Sequence, residues 1–254
     1  MIRVRHLRKS CSMSIRNDLK ILYHLVLRPV RGKDHASRME SFYSGQAEGY
    51  DDFRKRLLQG REHVYQTLGQ SKPEIWVDFG GGTGANLEFI GPNISDIRKI
   101  YVVDLATSLL GIVNKRCERN GWKNVESVTG DATVWSPPEG TADVVTFSYS
   151  LTMIPDWFAA IDNAIRILKP GGKLGVVDFY VSRKFAAEGL KRHSWSTRSF
   201  WPTWFATDNV FPSADHIPYL QNRLDTSMLN EHQAKIPYLP LLKTPYYQFI
   251  GVKR

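Results

Sequence analysis

The sequence predicts an α/β protein with a doubly wound sheet and helices on both faces. Short β-rich runs alternate with helical stretches from residue 74 onward, which is typical of parallel strands joined by crossover helices. A glycine-rich turn directly follows the first of these runs. Two further strand-like runs close the chain, after a long aromatic-rich segment. Together these patterns favour one Rossmann-like domain that carries appendages.

The individual elements follow in a regular order. A first strand at 75–79 leads into Gly80–Gly84 and a helix that starts near Ala85. The later expected strands and helices are strands 99–104, 125–128, 142–148 and 173–180, helices 107–120 and 158–168, a helix stop and turn at 169–172, and strand-like runs 231–238 and 246–252. The segment 183–224 is an insertion rich in aromatic residues.

Composition excludes several classes of protein. The chain has 254 residues, with 42% hydrophobic and 23% charged residues, as in ordinary globular domains. Its two cysteines exclude a disulfide scaffold, and they form no motif that would hold a metal, so no metal is expected. No apolar run approaches the roughly 18 to 20 residues that cross a bilayer.

Most of the net charge of +9 lies in a basic arm, residues 1–33, which carries +8, whereas the remaining residues carry +1. A nearly neutral body argues against a nucleic-acid groove, so no nucleic-acid partner is expected. Apolar residues at spacings of 4, 3 and 4 predict an amphipathic helix in the arm, namely Ile15, Leu19, Leu22 and Val26. Three roles stay open for this helix: packing on the domain, lying on an anionic membrane surface, and mitochondrial targeting.

Three acidic residues accompany the glycine loop formed by Gly80, Gly82 and Gly84. Asp78 precedes the loop, Asp104 ends the second strand, and Asp131 follows the third. Carboxylates at three consecutive strand ends suit a neutral or cationic nucleoside better than a pyrophosphate, which they would repel. The glycine spacing also fits the dinucleotide pattern of nicotinamide-dependent oxidoreductases, which remains an alternative.

These motifs together resemble the class I S-adenosylmethionine-dependent methyltransferases. The carrying segments are Val77–Gly84, Asp104, Gly130–Ala132 and Leu168–Gly172. The resemblance implies a seven-stranded sheet whose last strands form an antiparallel hairpin, and S-adenosylmethionine as methyl donor. It also implies cofactor roles, with Gly80, Gly82 and Gly84 under the methionine part, Asp104 on the ribose, Asp131 and Ala132 at the adenine, and Ser148 beside the methionine end.

Within that family the chain is most similar to the methyltransferase part of betaine-lipid synthases. Arg31–Lys33, His35–Tyr43, Gln46–Asp51, Ser148–Trp157 and Pro237–Pro245 carry this likeness. It implies methylation of the homoserine amine of a diacylglyceryl lipid to a betaine lipid, with a separate aminocarboxypropyl transferase as partner. The alternatives are another small-molecule or quinone-type acceptor, and a non-catalytic subunit that only binds the cofactor.

The implied organisation has three parts: the arm at 1–33, a helical cap over the cofactor site at 34–73, and the methyltransferase domain at 74–254. Tyr43 and Tyr50 lie two helical turns apart in the cap, where tyrosines of similar enzymes close over the cofactor. Such a protein is expected in the cytosol or peripherally on the cytoplasmic face of an internal membrane, with mitochondrial targeting as the other option.

The sequence also contains candidate residues for the acceptor side of the site. Tyr149, after the fourth strand, and Trp201 and Trp204, in the insertion, are candidate substrate residues, because aromatic faces attract quaternary ammonium groups. An amine must be neutral to accept a methyl group, so a proton acceptor would help. Asp156, Asp178 and Tyr149 are within topological reach, and none of them is assigned as the general base.

Overall fold

The computed structural model describes residues 56–236 and 239–254, which form one seven-stranded sheet with the order β3-β2-β1-β4-β5-β7-β6. The strands are β1 Ile75–Phe79, β2 Lys99–Asp104, β3 Val125–Thr129, β4 Ala142–Ser148, β5 Leu168–Phe179, β6 Asp225–Ile236 and β7 Leu239–Val252. The predicted seven-stranded Rossmann-like sheet is confirmed. The arm and both tyrosines Tyr43 and Tyr50 lie outside the described residues.

Strand direction places a crevice at the centre of the sheet. Strands β1 to β5 are mutually parallel, and β7 runs antiparallel to both β5 and β6. The strand order reverses between β1 and β4, because β2 and β3 lie on one side of β1 and β4 and β5 on the other. Ligands of open α/β sheets bind beyond the carboxyl ends of the strands at such a reversal.

Helices cover both faces of the sheet. They are α1 Arg61–Gly69, α2 Thr107–Asn120, α3 Trp157–Ile167, α4 Trp195–Ala206 and α5 His216–Arg223, with 3₁₀ segments at Ala85–Asp96 and Leu151–Met153. The helix expected after the glycine loop is thus a 3₁₀ segment, and it is interrupted at Gly91, whose φ of 68° and ψ of −146° are not helical. Pro92 follows at once, and a proline there lacks the N–H that a continuous α-helix requires.

Each face of the sheet has its own apolar core. On one face α1, the Ala85–Asp96 segment, α2 and α4 pack around the side chains of Trp76, Val102 and Val177. On the other face α3 and α5 pack around Val77 and Phe147. Because successive side chains of a strand point to opposite faces, a strand buried on both faces is apolar throughout, as the sequence of β1 is apart from Asp78.

The last three strands begin earlier than expected: β5 at Leu168 and not at 173, β6 at Asp225 and not at 231, and β7 at Leu239 and not at 246. β5 begins at Leu168, and the register passes from Ala142–Leu168 directly to Val144–Lys173. Residues 169–172 therefore form a bulge within the strand in place of a separate turn, and Gly171 there has a φ of 75°.

In the described part of the chain no helix is both long enough and apolar enough to span a bilayer.

Candidate functional site

A cavity of about 480 Å³ opens at the carboxyl edge of the sheet, at the point where the strand order reverses. Its volume lies in the range of about 300 to 1,000 Å³ that is common for small-molecule sites. The lining residues are Gly80, Gly82, Val103–Leu105, Gly130–Val134, Tyr149, Ser150, Met153–Asp156 and Ala159. No lysine, arginine or histidine occurs among these described lining residues, whereas Asp104, Asp131 and Asp156 do.

The glycine loop forms the floor of this cavity. Gly80, Gly82 and Gly84 have φ values of 60°, 57° and 67°, a left-handed conformation that side-chain-bearing residues rarely adopt. The Gly80 N–H donates to the Val103 carbonyl (2.8 Å), which ties the loop to β2. A Cβ atom on Gly80 would lie 2.5 Å from Cβ of Ser150, so the chain after β4 approaches the loop too closely for any side chain.

Asp104 links the glycine loop to the start of α2. Its Oδ2 accepts the Gly82 N–H (2.9 Å) and its Oδ1 accepts the Ala106 N–H (2.9 Å). The carboxylate also lines the cavity, where its oxygens can accept hydrogen bonds from hydroxyl groups of a ligand. The side chain thus both orders the loop and presents a hydrogen-bond acceptor.

Asp131 and Ala132 form the far wall of the cavity. Oδ1 of Asp131 accepts hydrogen bonds of 2.8 Å from the Thr133 N–H and the Thr133 hydroxyl, which orders the turn after β3. The Asn163 amide of α3 donates to the Ala132 carbonyl (2.8 Å), which links the same turn to α3. The exposed Val134 adds an apolar edge, so this wall combines a carboxylate with a flat apolar surface.

Asp78 lies beneath the glycine loop and does not line the cavity. Its Oδ1 accepts the Tyr65 hydroxyl (2.6 Å) and the Thr146 hydroxyl (2.7 Å). Its buried Oδ2 has no hydrogen-bond partner among the described residues. Burial raises the pKa of Asp78 to about 6, although both hydroxyl donors favour the ionised form. The predicted contact between Asp78 and a cofactor stays a prediction.

Ser148 has a buried hydroxyl that is also without a partner among the described residues. It lies outside the main cavity, in a small recess shared with Arg61, Gly80 and Asn86. The Arg61 guanidinium donates a hydrogen bond to Asn86 Oδ1 (2.9 Å), so the cationic group and the amide of this recess contact each other. Two unpartnered buried oxygens therefore lie close to the glycine loop: the Ser148 hydroxyl in the recess that Gly80 lines, and Asp78 Oδ2 beside Gly81.

The chain after β4 forms the remaining wall. Tyr149 has a φ of 53°, and its hydroxyl donates to the Gln59 carbonyl (2.7 Å). Burial, the largest cause, and the nearby Asp178 raise the pKa of Tyr149 well above its usual value. A phenol that donates to a carbonyl and resists ionisation is poorly suited to act as a base. Asp156 caps α3, because its Oδ1 accepts the Ala159 N–H (3.2 Å).

The tryptophans of the insertion lie away from the cavity. Trp201 is buried and packs at 5.4 Å from the Phe205 ring, whereas Trp204 is 38% exposed and contacts Phe200. Neither belongs to the residues that line the cavity. Their role as substrate residues stays a prediction. The described residues contain no group of three or more His, Cys, Asp or Glu side chains that could hold a metal ion.

Some of the residues around the site carried no sequence signal. Tyr65 and Arg61 of α1 contact Asp78 and Asn86, although they precede β1 and belong to no motif. Thr152 contacts Asp178 from 26 positions away along the chain. Such partners meet only because the strands and helices pack together, so spacing in the sequence does not reveal them.

The comparisons with known proteins agree with this geometry. Residues 53–200 match the model of the ubiE/COQ5 methyltransferase family. A demethylmenaquinone methyltransferase of Anoxybacillus flavithermus is 27% identical over 145 residues, which is 56% of this chain and 56% of that relative. A ubiquinone/menaquinone biosynthesis C-methyltransferase UbiE of an Enterobacter species is 30% identical over 169 residues, covering 64% of this chain and 67% of the relative. The chain thus spans about half of the first relative's length.

Solved structures support the fold alone, since their sequence identities are low. The N-methyltransferase NodS of Bradyrhizobium japonicum, in complex with S-adenosyl-L-homocysteine, has a TM-score of 0.55 at 16% identity and covers 80% of this chain and 97% of its own. A putative methyltransferase in complex with the Haloferax volcanii Trm112 activator has a TM-score of 0.59 at 14% identity, covering 82% and 95%. Because the family model matches more than half of its residues, the chain belongs to the ubiE/COQ5 methyltransferase family.

Proposed function

We propose that the chain binds S-adenosylmethionine in the cavity at the carboxyl edge and transfers the methyl group to an acceptor. The observation that carries this proposal is the set of cavity-lining residues, which includes three aspartates and no basic side chain in the described part of the chain. A sulfonium cation is stabilised there, whereas the pyrophosphate of a nicotinamide cofactor would be repelled. The charge of the site therefore supports a methyltransferase over an oxidoreductase.

The site also fits the separate parts of the cofactor. Asp104 lines the cavity and can accept hydrogen bonds from the ribose hydroxyls, and Asp131 lies beside the apolar Val134 side chain, which suits an adenine ring. The unpartnered Ser148 hydroxyl lies in the recess beside the glycine loop, and the unpartnered Asp78 Oδ2 lies beside Gly81. The amino-acid end of the cofactor would need hydrogen-bond acceptors at such positions. A ligand that reached these atoms would relieve the cost of leaving them buried and unpaired.

When bound, the cofactor supplies an electrophilic methyl group. The protein then needs to align the acceptor with this group and to exclude water. The glycine loop lets a ligand approach bare backbone, and Met153 and Ile154 enclose the cavity with apolar surface. Tyr149 and Ser150 border the end nearest the Gly80 turn and are positioned to contact an acceptor. No general base is assigned.

The relatives favour a quinone-type acceptor. The relatives named above are methyltransferases of menaquinone and ubiquinone biosynthesis, and the family model carries the same name. Their products are methylated on carbon, according to the UbiE description. Because the aligned part covers only 56 to 67% of those relatives, transfer of their acceptor to this chain is part of the proposal.

A lipid amine is the second candidate, and the segment Ser148–Trp157 favours it. This segment carries the resemblance to betaine-lipid synthases, and seven of its residues belong to the wall of the cavity or to the recess beside it. Residues that resemble those enzymes thus lie where an acceptor would meet the cofactor. A separate aminocarboxypropyl transferase, a membrane surface contacted by the arm and the absence of a nucleic-acid partner stay predictions.

Calorimetric titration with S-adenosylhomocysteine and with NADH tests the cofactor. We expect S-adenosylhomocysteine alone to bind, and Asp104→Ala to weaken its affinity at least tenfold, because ribose contacts and loop order are lost together. Asp162→Asn is the matched control, since Asp162 contacts Tyr219 and Arg223 away from the cavity. Binding of NADH in place of S-adenosylhomocysteine would overturn the proposal.

The acceptor is tested with labelled S-adenosylmethionine and mixed micelles that contain either a demethylmenaquinol or diacylglyceryl-homoserine. Lipid mass spectrometry then reads the products: one added methyl group on the quinol supports the first acceptor, and up to three on the amine support the second. Binding of the cofactor without transfer to either lipid, or to any component of a whole lipid extract, would favour a non-catalytic subunit.

A further inference from the structure

A buried carboxylate beside the cavity has no part in the site described so far. Asp178 lies near the end of β5 and is inaccessible to solvent. Its Oδ1 accepts the Thr152 hydroxyl (2.8 Å) and the Phe179 N–H (2.8 Å), and its Oδ2 accepts the Thr152 N–H (3.2 Å). Three hydrogen bonds hold the carboxylate in one orientation, and two of them come from the same residue.

Thr152 is the middle residue of the 3₁₀ turn Leu151–Met153, which leads directly into the cavity wall. Met153, Ile154 and Pro155 are the next residues, and all three line the cavity. The position of that wall therefore depends on where the 3₁₀ turn is held, and the bonds from Asp178 hold its centre.

The opposite side of Thr152 contacts the aromatic insertion. The Thr152 carbonyl accepts the Phe211 N–H (2.7 Å), and two residues further on Ser213 forms a β-bridge with Tyr180 at the end of β5. We call residues 210–213 the strap, because they lie in the connection between α4 and α5 and contact Thr152 and Tyr180, which follow β4 and β5. Thr152 thus lies between Asp178 on the sheet and the strap of the insertion.

We propose that Asp178 is a positioning residue that, through Thr152, fixes the cavity wall Met153–Pro155 and the strap of the insertion as one unit. The assignment of the wall to cofactor binding rests on the proposed function, whereas the linkage between turn and strap does not. An insertion that is tied to the cavity wall would move when the wall moves.

The energetics favour this role over simple packing. Removing an acceptor from two buried donors leaves each of them unsatisfied, which costs about 1 to 3 kcal/mol per group in proteins. The 3₁₀ turn can avoid that cost only by moving, and its movement would shift the cavity wall and break the Phe211 hydrogen bond together. If the cavity wall is no longer ordered before binding, the affinity for a ligand falls, because part of the binding free energy is then used to order the wall.

Hydrogen exchange of the intact chain tests the linkage. Thr152→Val removes only the hydroxyl, and Asp178→Asn replaces a carboxylate oxygen with a donor that faces the Thr152 N–H. We expect faster amide exchange, by at least fivefold, in both the turn 150–155 and the strap 210–213, with β5 unchanged. Thr244→Val is the matched control, because Thr244 is a buried threonine whose hydroxyl has no partner among the described residues.

Affinity for S-adenosylhomocysteine gives the second readout. Thr152→Val and Asp178→Asn should weaken it about tenfold, Thr152→Ser should restore it, and Thr244→Val should leave it unchanged. Unaltered exchange in the strap of both variants would overturn the proposal, as would faster exchange confined to the turn. If the wild-type chain binds no S-adenosylhomocysteine, the proposed function fails, and the exchange of the strap still decides the linkage.

Discussion

The Tyr65 hydroxyl donates a hydrogen bond of 2.6 Å to Oδ1 of Asp78, and both side chains are fully buried beneath the glycine loop. Thr146 donates to the same oxygen and in turn accepts the indole N–H of Trp76 (2.9 Å). Alternation along β1 turns Trp76 and Asp78 to the face that α1 covers, so Tyr65 of α1 meets them there. The glycine loop thus rests on a polar network with one buried carboxylate.

Replacement of Tyr65 by phenylalanine should destabilise the protein by about 1 to 3 kcal/mol, because a buried carboxylate loses one of its two donors. The pKa of Asp78 should rise further, since the Tyr65 hydrogen bond lowers it. Denaturant unfolding at pH 7 measures the change. Tyr101→Phe is the control: its hydroxyl contacts the exposed Glu139, so the loss should stay below 1 kcal/mol. Equal losses in the two variants would contradict the special role of Tyr65.

Stability should depend on pH through the buried carboxylates. Burial raises the pKa of Asp78 to about 6 and that of Asp178 to about 7, from an ordinary value of 3.8. The folded protein therefore retains protons that the unfolded chain has released, and this contribution is complete below pH 4 and lost as the pH rises through 6 to 7. Both groups make the free energy of unfolding fall between pH 4 and pH 8.

Asp178→Asn isolates one part of that dependence, because an amide does not titrate. We expect the decrease in the free energy of unfolding between pH 4 and pH 8 to be smaller in the variant than in the wild-type protein, by about 1.4 kcal/mol per unit of pKa shift removed. Asp208, whose pKa burial also raises to about 7, titrates in both proteins and cancels in the difference. Urea unfolding at several pH values measures this difference in the free energy of unfolding between the variant and the wild-type protein. Parallel curves for variant and wild type would exclude a raised pKa at Asp178.

The strands and the acidic strand ends could be predicted from the sequence for a physical reason. Strands buried on both faces are continuous apolar runs, and the residues at their carboxyl ends meet at one edge whatever the details of packing. Asp104 and Asp131 accordingly both line the cavity. The glycine loop could be predicted as well, since left-handed turns at Gly80 and Gly82 require glycine.

The orientation of the remaining site residues depends on tertiary contacts that no local pattern encodes. Asp78 lies two residues before Gly80, yet its side chain points beneath the loop to a tyrosine of the preceding helix. The Ala85–Asp96 segment is interrupted at Gly91, directly before Pro92, and the glycine loop that precedes the segment does not predict this interruption. Trp201 and Trp204 are three positions apart, and only packing decides which one is buried.

Gly80→Ala and Gly121→Ala separate backbone strain from close approach. Both glycines have positive φ values, 60° and 68°, but a Cβ atom would lie 2.5 Å from Ser150 Cβ at Gly80 and would meet nothing within 4 Å at Gly121. Gly121→Ala should cost about 1 kcal/mol from strain alone. Gly80→Ala should cost more and should weaken S-adenosylhomocysteine binding at least tenfold. Thermal unfolding and calorimetry measure the two effects, and equal losses of stability would contradict the close approach.

Trp201→Ala and Trp204→Ala test the predicted acceptor role of the insertion. Trp201 is 4% exposed and packs beside Phe205, which stacks at 4.7 Å on Phe179, so its removal should destabilise the protein by about 3 to 5 kcal/mol. Trp204 is 38% exposed, and its removal should change stability by less than about 1 kcal/mol. If Trp204 contacts the acceptor, its variant should raise KM for the lipid severalfold with kcat and S-adenosylhomocysteine affinity unchanged, because binding that is equal in the ground state and the transition state is lost. Steady-state kinetics on lipid micelles, at fixed saturating cofactor, measure this split. An unchanged KM in a stable Trp204→Ala protein would remove Trp204 from the acceptor site and leave the insertion with the strap as its contact to the cavity wall.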